Sequence, residues 1–510
     1  MQKILIVFLF IFLTGCFNED YELKIIHTND LHSHLLPFND YGDCDINSNE
    51  CKGGFARIVT FLNNEKDGSE NSLIIDAGDR FTGTSFYTLT KSRYLIKTMS
   101  RMPYDVIGLG NHEFDDNIEE TEKFLQALGV PVVVANTEFI GNSNLSNIIK
   151  PSVIIEKNNR KIGVIGLITE DLSPLGIKDT VKFFPIYEKI HSEIKELQKN
   201  GANIIVVVSH LGLHEDIKLA QQVEDIDVIV GGHSHSLLSN DENISIKDGK
   251  YPLVINDKTL IVTAGMGGQY VGVLNVKFNN DGKITNFSGD TKAIDSHIAN
   301  DEITSQIILE ALHNLEQILN KPLAESENDY NFSPNKEYCA ERCAIGDLIT
   351  DLLKQAFPLI DIVFINSGAI RQAISKGQVS FTNLAQVYPY DTKAVLIELS
   401  GVEIKEYIQH GIKNYSLKER TNELLQVAGL EYEFSTTNKV VTNITINGKP
   451  LEENKIYRVL TSLYIAQGGD KYPVKQYQEV GTSIREAIQQ QLLKTSKLIN
   501  EVKNNVTTIK

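Results

Sequence analysis

The strongest constraint on the fold is a series of short runs rich in Ile and Val, each breaking off abruptly into polar residues. They are "LKIIHTND" (23–30), "SLIIDAGD" (72–79), "DVIGLGNHE" (105–113), "VPVVVAN" (130–136), "KIGVIGLIT" (161–169), "NIIVVVSHLG" (203–212), "DVIVGGHSH" (227–235) and "TLIVTAGM" (259–266). Continuous apolar runs of this length fit strands buried on both faces. They alternate with helical segments such as 187–200, so the chain up to about residue 300 reads as α/β. In such folds sites form where strands end. "GLG" at 108–110 lacks the rest of a dinucleotide fingerprint, and no Walker-type glycine loop occurs.

At 510 residues the chain exceeds one ordinary core, so two domains are expected. The pattern changes near Ala299, where Ile307, Ile308, Leu312, Leu315, Ile318 and Leu319 fit one amphipathic helix. The polar, proline-punctuated "KPLAESENDYNFSPNKEY" that follows marks a boundary, and a smaller α/β segment runs from there to the end. The expected division is 1–16, 17–303, a linker helix over 304–322, and 323–510.

The first segment, "MQKILIVFLFIFLTGC", has an early Lys and an apolar run from Ile4 to Leu13, too short to span a bilayer. Its ending resembles a bacterial lipobox, in which Cys16 becomes the lipidated first residue and acyl chains form a stable anchor. A plain secretory signal is the other reading, and both export the chain. The remaining cysteines form two local pairs, Cys44 with Cys51 and Cys339 with Cys343. In an exported protein these favour disulfides over a zinc site, since neither pair is a C-x-x-C. The net charge of −17 argues against nucleic acid or an anionic membrane surface as partner, leaving lipidation as the membrane contact. Oligomeric state is left open.

Donor residues sit at the strand ends in order. Asp30 and His32 close the first run, Asp79 the second, and Asn111 and His112 the third. Ser209 and His210 close a later one, and Gly231-Gly232-His233-Ser234-His235 the next. A lone histidine is more often structural, but a repeated ending of this kind is not coincidence. Imidazole, carboxylate and amide oxygen without thiolate suit borderline divalent ions such as Zn²⁺ or Mn²⁺. The donors are too many for one tetrahedral ion and fit two sharing a carboxylate, a device for in-line displacement at phosphorus. Beyond them, "DDNIEETEKFLQALGVP" reads as a cap, an acidic first turn, a helix and a Gly-Val-Pro stop.

"HTNDLHSHL", "DAGDRFTGTSF", "LGNHEFD", "VVVSHLG" and "GGHSH" resemble the ordered motifs of calcineurin-like metallophosphoesterases. More narrowly, they resemble the exported 5′-nucleotidase/UDP-sugar hydrolase family, over essentially the whole chain after residue 16. The resemblance implies a mixed α/β (α+β) protein. A four-layer β-sandwich flanked by helices (17–303) would be joined by the linker helix to a smaller nucleotide-binding domain. Carried over by position, it gives Asp30, His32 and His235 to one metal and Asn111, His210 and His233 to the other, with Asp79 bridging. His112 becomes the catalytic histidine that binds no metal, and Asp115 the carboxylate that orients it and favours its charged form. Glu113 has no carried role and reads as structural; His34 is unassigned. The Cys44–Cys51 pair resembles a disulfide of some members.

The second segment implies specificity. "NSGAIR" (366–371) resembles an Asn-x-Gly-x-x-Arg motif, with Arg371 on the substrate phosphate and Asn366 on the base edge. Tyr390 in "YPYDT" and Tyr464 in "SLYIAQGGD" match the rings that sandwich a nucleobase, and Asp470 the carboxylate on the ribose. Many members carry two arginines before the next helix. Here "YCAERCAIGDL" offers Arg342, displaced by a position, while Cys339 stands in place of the other. The implied reaction is hydrolysis of a nucleotide to nucleoside and phosphate by a metal-bound hydroxide. The rivals are UDP-sugar or NAD pyrophosphate cleavage, 2′,3′-cyclic nucleotide hydrolysis, and a surface lipoprotein that binds nucleotides without turnover.

Overall fold

The structure, a computed structural model, describes residues 20–39, 42–69, 71–140, 144–170, 180–332, 339, 343–390, 392–413, 424–446, 448–498 and 506–509. Cys16, with the expected signal segment, and Arg342 lie outside these residues.

Two sheets face each other in the larger unit. One runs, edge to edge, through Ile284–Ala293, Tyr270–Phe278, Tyr21–Thr28, Ser72–Asp76, Val106–Ile107, Val132–Val133 and Ile149–Lys150. The other runs through Leu253–Ile255, Thr259–Val262, Val228–Gly231, Ile204–His210, Arg160–Ile168 and Ser152–Lys157. Alternation of side chains explains the layering. Ile25, Ile75 and Val106 face inward and meet Val164, Val206 and Val230 of the opposite sheet. Ile26, Ile74 and Ile107 face outward, under the helices Phe55–Asp67, Arg93–Met99 and Ile118–Leu128. On the far side Ile205, Val207 and Ile229 are covered by Ile186–Lys199 and Leu213–Gln222. The result is the expected helix–sheet–sheet–helix stack, each buried Val or Ile contributing about 1.5–3 kcal/mol.

The central strands are parallel and in step. Thr28 pairs with Asp76 and Asp76 with Ile107, while Ile168 pairs with His210 and Ser209 with Gly231. Neighbouring strands therefore stop at one edge, and the polar residues after each stop converge there. The runs at 105–113 and 130–136 pair over two residues only: the first leaves the sheet for the site, and the second crosses to the other sheet, where the Ala135 N–H donates to the Gly166 carbonyl. Tyr270–Phe278 and Ile284–Ala293 were not among the apolar runs. They are antiparallel, and Ile284–Ala293 is a largely solvated edge strand, so neither needs continuous hydrophobicity.

The linker helix runs Glu302–Leu319, against an expected 304–322. It starts two residues earlier because Asp301 accepts a hydrogen bond from the Thr304 backbone N–H and caps it, and it ends three residues earlier, before the strand Pro322–Ser326. Ile308, Ala311 and Leu315 pack into the core of the larger unit. In the smaller unit a sheet runs Leu425–Ala428, Ile362–Asn366, Ile456–Ser462, Lys393–Ser400 and Gln478–Ser483. Ala344–Ala356 and Ile484–Thr495 cover one face. Gly401–Lys413 and the strands Glu431–Ser435 and Val440–Ile446 cover the other. Both cysteine pairs are disulfides, Cys44–Cys51 and Cys339–Cys343. Among the described residues no helix is long and apolar enough to cross a membrane.

Candidate active site

The chain has to reverse sharply at each strand end to aim its donors at one point. Asp30, His32, Asp79, His233 and His235 all take positive φ, between 45° and 75°. Non-glycine residues adopt that region at a cost of about 1–3 kcal/mol each, and such outliers gather at functional sites. Gly110 is needed for a different reason: a Cβ there would stand 2.1 Å from Asp79 Oδ1 and 2.6 Å from His210 Cε1.

These turns bring the expected donors together. Ligand atoms of Asp30, His32 and His235 lie within 4.8 Å of one another, as do those of Asp79, His210 and His233. Asp79 also groups with His32 and His112, which puts its carboxylate between the two sets. Asn111 Oδ1 is 3.0 Å from His233 Nδ1.

The arrangement fits two cations. Nε2 of His32 and Nε2 of His235 stand 3.0 Å apart, with Asp30 Oδ1 at 3.6 Å from the latter. His210 donates Nδ1–H to the Ala77 carbonyl at 2.7 Å and turns its buried Nε2 to Asp79 Oδ2 at 3.0 Å. Burial works against the charged ring, but Asp79 outweighs it and raises His210 to about 10 while no cation takes that place. A backbone carbonyl fixing one ring nitrogen so that the other offers a lone pair is the usual support of a metal-binding histidine. Burial pushes His32 well below its usual range, with the neighbouring His235 adding to it; burial likewise lowers His235, with the Arg371 guanidinium adding to it. Both imidazoles are thus neutral and able to ligate. Burial raises Asp30 to about 7, so its charge depends on positive partners.

His112 groups with His32 and Asp79 but also has a carboxylate partner of its own. Its Nδ1 is 2.6 Å from Asp115 Oδ2, and its Nε2 is 4.0 Å from Asp79 Oδ2. Burial alone would lower it, but the Asp115 and Asp79 carboxylates outweigh that and raise it, favouring the charged ring. Asn117 begins the next helix, Ile118–Leu128, by accepting from the Glu120 N–H, and Gly129 at φ 63° ends it.

The supporting residues lie within the motifs; sequence reasoning read Glu113 as structural and did not single out Arg80 or Asn29. The fully buried Glu113 carboxylate accepts N–H bonds from Asp79, Arg80 and Gly110 at 3.0, 2.6 and 2.6 Å. It ties two motif loops together, which gives content to its structural reading. Arg80, also fully buried, pairs with Asp76 at 2.6 Å and donates to the Gly108 carbonyl. Asn29 donates to Asp30 Oδ2 at 2.7 Å and orients it. The signal was present in "DAGDR" and "GNHE": buried strand ends do not hold charges without partners.

The smaller unit reaches this centre. The Tyr390 and His112 ring centroids are 5.9 Å apart. The Arg371 guanidinium acts electrostatically on His32, His112 and His235. Asn366, Tyr464 and Asp470 form one cluster: Asn366 Nδ2 donates to Asp470 Oδ2 at 2.9 Å, and the Tyr464 hydroxyl to Oδ1 at 2.7 Å. Burial raises Tyr390, with the Arg371 guanidinium opposing it and the Asp115, Asp79 and Asp470 carboxylates adding to it.

Known proteins carry the same plan. The calcineurin-like phosphoesterase family matches residues 23–237, and the 5′-nucleotidase C-terminal domain matches 322–477. A 5′-nucleotidase-related protein of Glossina morsitans morsitans is 30% identical over 492 residues, 89% of this chain and 87% of that one. An apyrase of Tabanus yao is 28% identical over 486 residues, covering 89% and 87%. The crystal structure of a 5′-nucleotidase precursor from Thermus thermophilus matches with a TM-score of 0.87 at 28% identity, over 96% of this chain and 99% of that one. With its donor clusters in place, the chain belongs to the 5′-nucleotidase family of calcineurin-like, metal-dependent phosphoester hydrolases.

Proposed function

We propose that the protein hydrolyses extracytoplasmic nucleotides to nucleoside and phosphate. The observation that carries the reading is the meeting of the two units: Tyr390 and Arg371 of the smaller stand at His112 and the donor cluster of the larger. Asp30, His32 and His235 would hold one divalent ion and Asn111, His210 and His233 the other, with Asp79 between them; Zn²⁺ and Mn²⁺ suit this donor set. When bound, the ions lower the pKa of water and neutralise charge on phosphoryl oxygens.

The chain's own residues do the rest. The charged His112, oriented by Asp115, stabilises negative charge that grows on the phosphoryl group. Arg371 grips phosphate through its planar fork. Tyr390 and Tyr464 stack on the base, and Asn366 meets its edge. Asp470, which accepts from Asn366 and from the Tyr464 hydroxyl, would meet the ribose hydroxyls. The leader and Cys16 would export and anchor the enzyme.

The test is product release from AMP, ADP, UDP-glucose, NAD, 2′,3′-cyclic AMP and p-nitrophenyl phosphate, each with Mn²⁺, Zn²⁺ or EDTA, with a coupling phosphatase where needed. Metal-dependent turnover of AMP well above p-nitrophenyl phosphate is expected, with none in EDTA. Preference for UDP-glucose, NAD or the cyclic nucleotide would assign the centre to pyrophosphate or cyclic-ester cleavage instead.

A further inference from the structure

The helix Gly401–Lys413 carries none of the candidate site residues, yet one of its faces holds the loop that carries Asp470. Glu403, Tyr407 and His410 recur at intervals of four and three residues, so they line one side of the helix. Along that side the Glu403 carboxylate pairs with Lys475, and the Tyr407 hydroxyl donates to the Pro473 carbonyl at 2.6 Å. His410 Nε2 lies 2.8 Å from the Asp470 carbonyl oxygen. A carbonyl only accepts, so that ring nitrogen carries the proton. The buried Tyr472 packs against the same side, its ring centroid 5.4 Å from that of Tyr407 and 4.6 Å from that of His410. The helix is itself fixed. Ile404, Ile408 and Ile412 are buried in the core, and Gln409 donates to the Lys439 carbonyl at 2.8 Å and accepts from the Val441 N–H at 3.0 Å.

The loop needs such support. Asp470 and Lys471 take φ of 50° and 59°, two successive non-glycine residues in the left-handed region, just after Gly468 at 98°. Backbone of that kind persists where its surroundings over-determine it. Here the Asp470 main chain is held on both sides. Its N–H donates to the Tyr464 hydroxyl at 3.2 Å, and its carbonyl accepts from His410. The Tyr464 hydroxyl in turn donates to the carboxylate of the same residue, which also accepts from Asn366. One turn therefore sets both the Asp470 carboxylate and the Tyr464 ring, and His410 ties that turn to a helix outside the site.

We propose that His410 is a positioning residue for the nucleoside: by donating to the Asp470 carbonyl it holds the left-handed turn that presents the Asp470 carboxylate and the Tyr464 ring to the substrate. The inference rests on the reading of those two residues as nucleoside contacts.

The experiment compares full-length wild type with His410→Ala and His410→Gln. It measures kinetics on AMP and on p-nitrophenyl phosphate, and backbone hydrogen exchange over 468–472. His410→Ala should raise KM for AMP about tenfold, the size of one net hydrogen bond, and leave kcat nearly unchanged. Its kinetics on p-nitrophenyl phosphate, which has neither ribose nor base, should match wild type and so report an intact fold and catalytic centre. His410→Gln, whose Nε2 donates in the same way, should recover most of the loss. Exchange over 468–472 should rise in His410→Ala and not in His410→Gln. A KM for AMP that does not move, exchange that does not rise, or equal losses on both substrates would overturn the proposal. Absence of nucleotide turnover by wild type would overturn the nucleotide reading alone, since exchange still decides whether His410 holds the turn.

Discussion

At the scale of single residues, the proposed function separates groups that bind from groups that act. His112 lies 2.6 Å from Asp115 and, although it groups with His32 and Asp79, the proposed function assigns it to neither ion. His112→Ala should therefore retain both metals by elemental analysis while turnover falls about 10²–10⁴-fold, the usual weight of a proton-handling group. Near-normal turnover would remove His112 from the mechanism. Glu113 predicts the opposite pattern. Removing it orphans three buried N–H donors and leaves Arg80 with Asp76 as its remaining carboxylate partner. Glu113→Ala should cost about 3–5 kcal/mol in denaturant unfolding and loosen metal retention; an unchanged midpoint would refute the structural role. The clustering of the candidate donors was legible because strand-end motifs are local in sequence. Glu113's role was not, since its partner loop at Gly78–Arg80 is remote in sequence.

At the scale of elements, periodicity located helices well and strand lengths less well. The cap at Asn117 and the stop at Gly129 were readable because capping chemistry acts within one turn. The ends of the strand pairs at Val106–Ile107 and Val132–Val133 were not, because pairing depends on a neighbour distant in sequence. The linker helix offers a test of charge. Asp301 accepts from Thr304 and from Arg101 Nε and Nη2 at 2.9 and 3.1 Å. Burial works against its ionised form, but these bonds win and lower its pKa to about 2. A depressed carboxylate stabilises the fold above its ordinary value of 3.8, and that contribution is lost as pH falls toward about 2. Asp301→Asn, which can still cap, should cost about 1 kcal/mol at pH 7. The gap from wild type should narrow below about pH 4 in urea unfolding. A gap independent of pH would mean that packing, not charge, is what the variant loses.

At the scale of the whole molecule, function depends on two cores meeting at one edge of a sandwich. The larger unit supplies the phosphorus chemistry, and the smaller supplies Tyr390, Arg371 and the Asn366–Tyr464–Asp470 cluster. Tyr464→Ala should raise KM for AMP about tenfold or more, from the loss of base stacking, while sparing p-nitrophenyl phosphate, which has no nucleobase to stack. Equal losses on both substrates would show that Tyr464 supports the fold and not the base. The α/β class, the order of the donor motifs and the pairing of cysteines four and seven residues apart follow from the order of amino acids alone, because each is written in contacts or periods a few residues long. Three relations became visible with the folded chain. Asp79 lies between two donor sets, Glu113 and Arg80 are buried together beneath them, and Tyr390 of the smaller unit stands beside His112. Those relations join residues tens to hundreds of positions apart, and what brings them together is the common edge at which parallel strands in register must stop.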